Sequence, residues 1–276
     1  MLSFGKPVPH DEVVKFKRLI AEILAPHVSA LMMDLQYADQ DTFSSIRQHC
    51  GLIVAVENGT HERHGPWVVD ALQHESAIEE AIDLGADAIN LSLYLHSQAP
   101  EEVQAHQMAL MQKVSARCDE VGVPFILSPL LYQTATNVNS DPPNDLKRLI
   151  RLIRDQRIPI DLMQIENPFT DEISSGFAAR TEYFRELSSG IQCPWVMLTA
   201  GSNIDRFKDA LKAAFLAGAS GFLGGRAFWR QASNNYPNDA MVRKGIEETI
   251  FPVIRGLCES VRDYGKSLNS PVARIS

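Results

Sequence analysis

The sequence predicts an α/β fold, a TIM-type (β/α) barrel with helices wrapped around a parallel sheet. Three observations carry that reading. Short runs that are apolar throughout occur at 30–33, 52–56, 88–91, 124–127, 162–165, 195–198 and 221–223. Strands of a parallel sheet read this way because both of their faces are covered. Longer amphipathic stretches separate the runs, as crossover helices must. Three joints place a glycine just before a strand, at Gly85, Gly122 and Gly218. Glycine there takes the left-handed conformation that stops a helix. Joints of this kind favour a barrel over an open doubly wound sheet.

In chain order, a helical pattern over 12–24 precedes the first strand. The stretch 76–84 sets Ala77, Ile78, Ala81 and Ile82 on one face. A helix over 101–120 follows Pro100; proline suits a helix start, where its missing N–H would have no partner in any case. Residues 145–154 carry Leu146, Leu149, Ile150 and Ile153, an i, i+3, i+4, i+7 stripe. The stretches 205–216 and 241–261 read similarly. About seven strands are legible, whereas a closed barrel of this class has eight. The eighth is irregular, is supplied by Pro271–Ile275, or is absent, so the barrel is expected to be incomplete or irregular at its start. No linker, repeat or low-complexity segment divides the chain, and residues 1–276 are expected to form one domain.

A chain of 276 residues can bury the core that a single barrel needs. Its net charge of −8 argues against a general binder of nucleic acid or of anionic membrane. No apolar run approaches the roughly 20 residues of a membrane span, and Met1 to His10 lacks the charged-then-apolar pattern of a signal peptide. Cys50, Cys118, Cys193 and Cys258 stand far apart without a CxxC pairing, so neither a zinc knuckle nor a disulfide framework is suggested. A reducing cytoplasm is the expected compartment. A homo-oligomer stays open.

In parallel barrels the chemistry sits where strands end. Those ends carry Asp34, Glu57, Asn58, Asn90, Ser92, Ser128, Gln164, Glu166, Asn167, Thr199 and Arg226. Any one of them has a plain explanation, since polar residues begin loops. So many carboxylates and amides around one mouth point to a pocket. Its anion end is the sharpest part. Thr199 and Gly201 lie in a strand–turn–helix start, and Gly225 and Arg226 follow the next strand. Helix-start N–H groups bind phosphate, glycine lets the ligand approach the backbone, and arginine adds a bidentate partner. The competing view is that Gly224 and Gly225 only turn the chain.

Glu57, His61 and His64 offer mixed oxygen and nitrogen ligands, but their spacing matches no metal motif. No cofactor is assigned, and a divalent metal stays open. Trp67 reads as packing its loop down. Tyr94 and Tyr132 read equally as pocket donors or as structural groups. Lys147, Lys208 and Lys212 read as solvated helix positions, and no lysine stands at a strand end.

Over roughly residues 12 to 230 the chain resembles the tagatose-bisphosphate aldolase group, which is related to sulfofructose-phosphate aldolase. The resemblance rests on segments in order: 31–37 against a strand ending Asp-Pro-Glu-Tyr, 51–59 against Leu-Leu-Leu-Ala-Tyr-Glu-Lys-Thr-Gly, and 85–94 against Gly-Ala-Asp-Ala-Val-Lys-Phe-Leu-Leu-Tyr. It continues with 162–168 against Leu-Leu-Lys-Val-Glu-Phe-Pro, 198–201 against Leu-Ser-Ala-Gly, and 225–229 against Gly-Arg-Ala-Thr-Trp. It implies a class I (β/α)8 aldolase that cleaves a sugar phosphate to dihydroxyacetone phosphate and an aldehyde. It also implies departures at the chemistry. Gln164 replaces the Schiff-base lysine, Asn90 replaces a second lysine, and Ser128 replaces the proton-transferring glutamate. The family's first strand has no counterpart before Glu12. Asp34, Glu57, Glu166, Thr199, Gly201, Gly225 and Arg226 match. Without lysine nearby, raised pKa values are expected at Glu57 and Glu166.

The expected function is therefore an aldolase-like carbon–carbon lyase on a phosphorylated or sulfonated sugar, working without a Schiff base. Asn90, Gln164 and Thr199 would be donors, and Glu166 or a loop histidine would move protons. Two alternatives remain: an isomerase or epimerase of sugar phosphates, and a non-catalytic sugar-phosphate-binding protein. The partner in each case is a small anionic sugar.

Overall fold

Seven parallel strands form one curled sheet in a computed structural model that describes residues 8–60, 62–132, 141–169, 176–199, 204–225 and 228–268. The strands are β1 (Ala30–Asp34), β2 (Gly51–Ala55), β5 (Ala88–Leu95), β6 (Phe125–Leu131), β7 (Leu162–Glu166), β8 (Trp195–Leu198) and β9 (Gly221–Leu223), and they neighbour one another in that order. A two-stranded antiparallel hairpin, β3 (Glu62–His64) and β4 (Trp67–Val69), is inserted after β2. Every predicted strand is present. The ends of β5 and β6 run four residues further than the apolar runs did, because Ser92 and Ser128 interrupt those runs while the strands continue through them.

Side chains of a strand alternate between its faces. Leu52, Val54, Ile89, Leu91, Leu127, Ile165 and Met197 are almost fully buried in one core that also holds the helix stripes. The opposite parity holds Met32, Ile53, Leu162, Val196 and Leu198, which are only partly buried and lie outside that core. The main core thus lies between sheet and helices, while the inner face of the curl is buried at its centre by Asn90, Ile126, Ser128 and Gln164 and only partly buried toward its edges. The physical reason is the missing closure: β1 and β9 are the two edges of the sheet, and among the described residues no eighth strand joins them. The Pro271–Ile275 alternative lies outside the described residues.

Helix α1 (His10–Leu24) links the two sides of this open seam. Its Phe16, 1% exposed, packs edge-on against Trp229 and Tyr236, which follow β9. Its His10 Nε2 lies 2.7 Å from the Gln36 carbonyl, in the 3-10 turn Leu35–Tyr37 that follows β1.

Helices α2 (Gln40–Arg47), α3 (Ala77–Asp83), α4 (Glu101–Val121), α5 (Pro142–Asp155), α6 (Phe177–Ser189) and α7 (Ile204–Leu216) occupy the crossovers. The predicted stripe of α5 is buried in full, and its Asp141 cap accepts the Asn144 N–H. Gly85, Gly122 and Gly218 all have positive φ, as the joints require. Asp87 and Asp161 accept N–H groups at the starts of the preceding strands, from Leu52 and Phe125, at 2.7 and 2.8 Å. The single helix predicted over 241–261 is two, α9 (Asp239–Thr249) and α10 (Phe251–Tyr264), which follow the short α8 (Arg230–Ser233). Pro252 explains the break: it lacks an N–H, and its ring crowds the carbonyl four residues back. Among the described residues no helix is long and apolar enough to cross a membrane.

Candidate active site at the strand ends

Five of the six predicted catalytic residues meet on or beside the inner face of the curl, and a hydrogen-bond chain links four of them. Asn90, Ser128 and Gln164 share strand parity and are 0%, 2% and 1% exposed. Ser128 Oγ lies 2.8 Å from Asn90 Oδ1 and 2.7 Å from Gln164 Oε1. A hydroxyl has one proton and donates to one of them at a time. The chain is completed when the other amide turns its NH2 toward Ser128 Oγ. Asn90 Nδ2 donates to Ser92 Oγ at 3.1 Å, and the Ser92 N–H donates to Glu57 Oε2 at 3.1 Å. A continuous polar chain therefore runs Glu57–Ser92–Asn90–Ser128–Gln164 across β2, β5, β6 and β7.

Glu57 is half-buried as a residue, yet its carboxyl is enclosed. Burial pushes its pKa up from 4.5 to about 7; the Ser92 hydrogen bonds pull it back and the Asp34 charge pushes it further up. Glu166, at the end of β7, is also raised by burial, partly offset by the Leu131 N–H that donates to its Oε2 at 2.9 Å. Both shifts follow the direction expected for carboxylates without a nearby cation.

Asp34 ends β1 at the seam. No lysine stands at a strand end, as the sequence indicates, but one reaches this strand end from a helix: Lys17 of α1 ion-pairs with Asp34 Oδ2. Strand-by-strand reading missed it because the lysine arrives from a helix. Lys147 departs from its reading as a solvated position. It is 18% exposed, pairs with Glu186, and lies 4.7 Å over the Tyr183 ring. Lys208 is partly exposed and pairs with Asp205 of its own helix, in keeping with a solvated helix position.

At the anion end, Thr199 is 2% exposed and its Oγ1 accepts the Gly225 N–H at 3.3 Å, tying the ends of β8 and β9 together. Among the described residues nothing lies within 4 Å of a Cβ placed on Gly225, whereas a Cβ at Gly224 would lie 1.5 Å from the Phe228 ring. Gly224 is thus required by packing, and Gly225 is the one that leaves room for a ligand. Gly224→Ala is expected to destabilise the fold by about 2 kcal/mol, read from urea unfolding. Gly201, Arg226 and His61 lie outside the described residues.

The loop after β2 turns out to be the hairpin, fastened over the mouth. Trp67 packs on His96, with ring centroids 5.2 Å apart. Buried Asp70 accepts the Tyr94 N–H and the Gln107 amide at 2.7 and 2.8 Å, and Tyr132 Oη accepts the Val68 N–H at 3.1 Å. Tyr132 is therefore structural. Asn58 and Asn167 cap their own turns, accepting from Thr60 and Phe169. His64 is 71% exposed, and no group of three or more metal-ligating side chains occurs among the described residues. A small hollow lined by Leu95, Val103, Met108 and Leu152 also includes Tyr94 and Tyr132, but none of the strand-end carboxylates and amides of the chain above.

Comparison with known proteins bears on this geometry. The family model described as DeoC/LacD family aldolase matches residues 4–231. Tagatose 1,6-diphosphate aldolase of Staphylococcus aureus (strain NCTC 8325 / PS 47) is 24% identical over 275 residues, covering 93% of this chain and 84% of the relative. Among solved structures, an archaeal fructose-1,6-bisphosphate aldolase with its catalytic lysine bound to a carbinolamine intermediate is 16% identical, with TM-score 0.61, covering 92% and 85% of the two chains. The fructose-bisphosphate aldolase of Plasmodium falciparum is 10% identical, with TM-score 0.66, covering 92% and 83%. Both are similar in fold.

Proposed function

The chain belongs to the DeoC/LacD family of aldolases, and on that premise we propose an aldolase-like carbon–carbon lyase for a phosphorylated or sulfonated sugar, working without a Schiff-base lysine on its strands. The observation that carries the reading is the enclosed chain from Glu57 through Ser92, Asn90 and Ser128 to Gln164, with a carboxyl poised near neutrality at one end.

Retro-aldol cleavage needs a base at the hydroxyl beside the breaking bond and donors at the ketone oxygen. Glu57 takes the hydroxyl proton; a carboxyl with a pKa near the working pH suits that task. The carbon–carbon bond breaks, the aldehyde leaves, and the electron pair moves onto the ketone oxygen. The amide N–H groups of Asn90 and Gln164, held by the Ser128 hydroxyl between them, meet the resulting enolate oxygen in a water-poor setting. Glu166, whose raised pKa favours its protonated form, delivers a proton to the enolate carbon. In the resemblance, Gln164 stands where the imine lysine would be, so hydrogen bonding replaces covalent catalysis.

Thr199, Gly201, Gly225 and Arg226 hold the anionic group. Arg226→Ala is expected to weaken binding of a phosphorylated ligand by about 2 kcal/mol, roughly 30-fold, in calorimetric titration. The activity test is triose-phosphate release from a panel of ketose phosphates and sulfo-sugar phosphates in a coupled assay, with and without chelator. Exchange of substrate protons with solvent but no release would point to an isomerase. Binding without either would point to a silent binder.

A further inference from the structure

The inner strand ends carry Asp34, Glu57 and Glu166, whose charges repel an anionic ligand once they are ionised. Among the ion pairs of the described residues, one joins a strand-end carboxylate of the site to a cation, and that cation is Lys17. Its position is over-determined. Phe16 is wedged edge-on against Trp229 and Tyr236, at centroid distances of 5.7 and 5.2 Å. One turn earlier, Glu12 Oε2 accepts the Tyr236 hydroxyl at 2.9 Å. Successive helix residues are separated by about 100° around the axis. With Phe16 held on the β9 side of the seam, Lys17 is turned toward the end of β1. There it pairs with Asp34 and lies 4.8 Å over the Tyr37 ring.

The pair is reachable from solvent. The Lys17 side chain is 26% exposed and that of Asp34 is 47% exposed. An ammonium has three donors; Asp34 takes one, and Tyr37 meets the charge through its ring face, which uses no N–H. The seam also sets what lies opposite. β9 and β1 are the two edges of the sheet, so Gly225, just past β9, and the Lys17–Asp34 pair flank the same gap, with α1 touching both sides.

We propose that Lys17 is a ligand-contacting residue that completes the anion site from across the seam, sharing one phosphate- or sulfonate-class group with the Thr199–Gly225 turn. The cation comes from a helix that stands in the place of a closing strand. The proposal rests on the anionic-sugar reading above. In it, Asp34 is a competitor that holds the ammonium until the ligand anion arrives.

Calorimetric titration with dihydroxyacetone phosphate tests this on the full chain, with thermal melts to confirm that each variant is folded. Lys17→Met is expected to raise Kd by 10-fold or more, and Lys17→Arg to stay within about 3-fold, since it keeps the charge. Asp34→Asn is expected to tighten binding, because it removes the competing carboxylate. If Lys17 merely anchors Asp34, Lys17→Met and Asp34→Asn weaken binding alike, and that result overturns the proposal. Equal affinity of wild type and Lys17→Met overturns it too, while leaving the anionic-sugar reading intact. Failure of the wild-type protein to bind the probe overturns both together.

Discussion

Glu57→Gln is expected to lower turnover by about 100-fold or more while leaving ligand affinity within a few-fold. Gln keeps an oxygen to accept the Ser92 N–H, so the geometry survives and only the proton carrier is lost. The same substitution has a stability signature of defined sign. Burial raises the Glu57 carboxyl to about 7 in the folded protein, against 4.5 for a solvent-exposed carboxyl in the unfolded chain. Its protonated form is favoured by folding, so Glu57 adds no cost below pH 4.5. The cost grows between pH 4.5 and about 7, and is constant above that. At its upper bound the shift corresponds to about 3 kcal/mol. Glu57→Gln should therefore be more stable than the wild type in urea above pH 7, with the two converging toward pH 4.5. A variant that is less stable at every pH would show that the carboxyl is not held in a desolvated state. Such an exchange of stability for reactivity is common at catalytic carboxyls.

Phe16→Ala is expected to cost about 3–5 kcal/mol, the range for removing a fully buried aromatic ring. Phe16 is 1% exposed and touches Trp229 and Tyr236, so its loss loosens the link between α1 and the segment after β9. A second consequence separates this position from an ordinary core site: the next residue of the same helix, Lys17, turns toward β1 and pairs with Asp34 there. Ligand affinity should fall together with stability at temperatures where the variant is still folded. Loss of stability with unchanged affinity would mean that the seam helix does not position the site.

Most of the sheet was legible because its strands are apolar on both faces and are spaced by helix stripes that end on glycine. What escaped notice has physical causes. The hairpin pairs Glu62–His64 with Trp67–Val69, segments too short for a period to register. α6 buries Thr181, Tyr183, Phe184 and Leu187, a stripe partly built from polar and aromatic groups. Pro252 divides a run whose apolar pattern continues unbroken. The site was legible as strand-end parity: Asn90, Ser128 and Gln164 were singled out separately, and the barrel's curl joins them through a single hydroxyl. Lys17 was not legible, because its role depends on which way a helix faces, and that is set by Phe16 packing on residues more than 200 positions away in the chain.

The most direct test of cleavage without a strand lysine is triose-phosphate release from the ketose-phosphate panel in the presence and absence of borohydride, followed by intact-protein mass measurement. The proposed mechanism predicts release that borohydride does not abolish, and an unmodified protein mass. Release that borohydride stops, with the mass of a reduced triose adduct on a lysine peptide, would contradict it, as would the absence of release from every substrate on the panel.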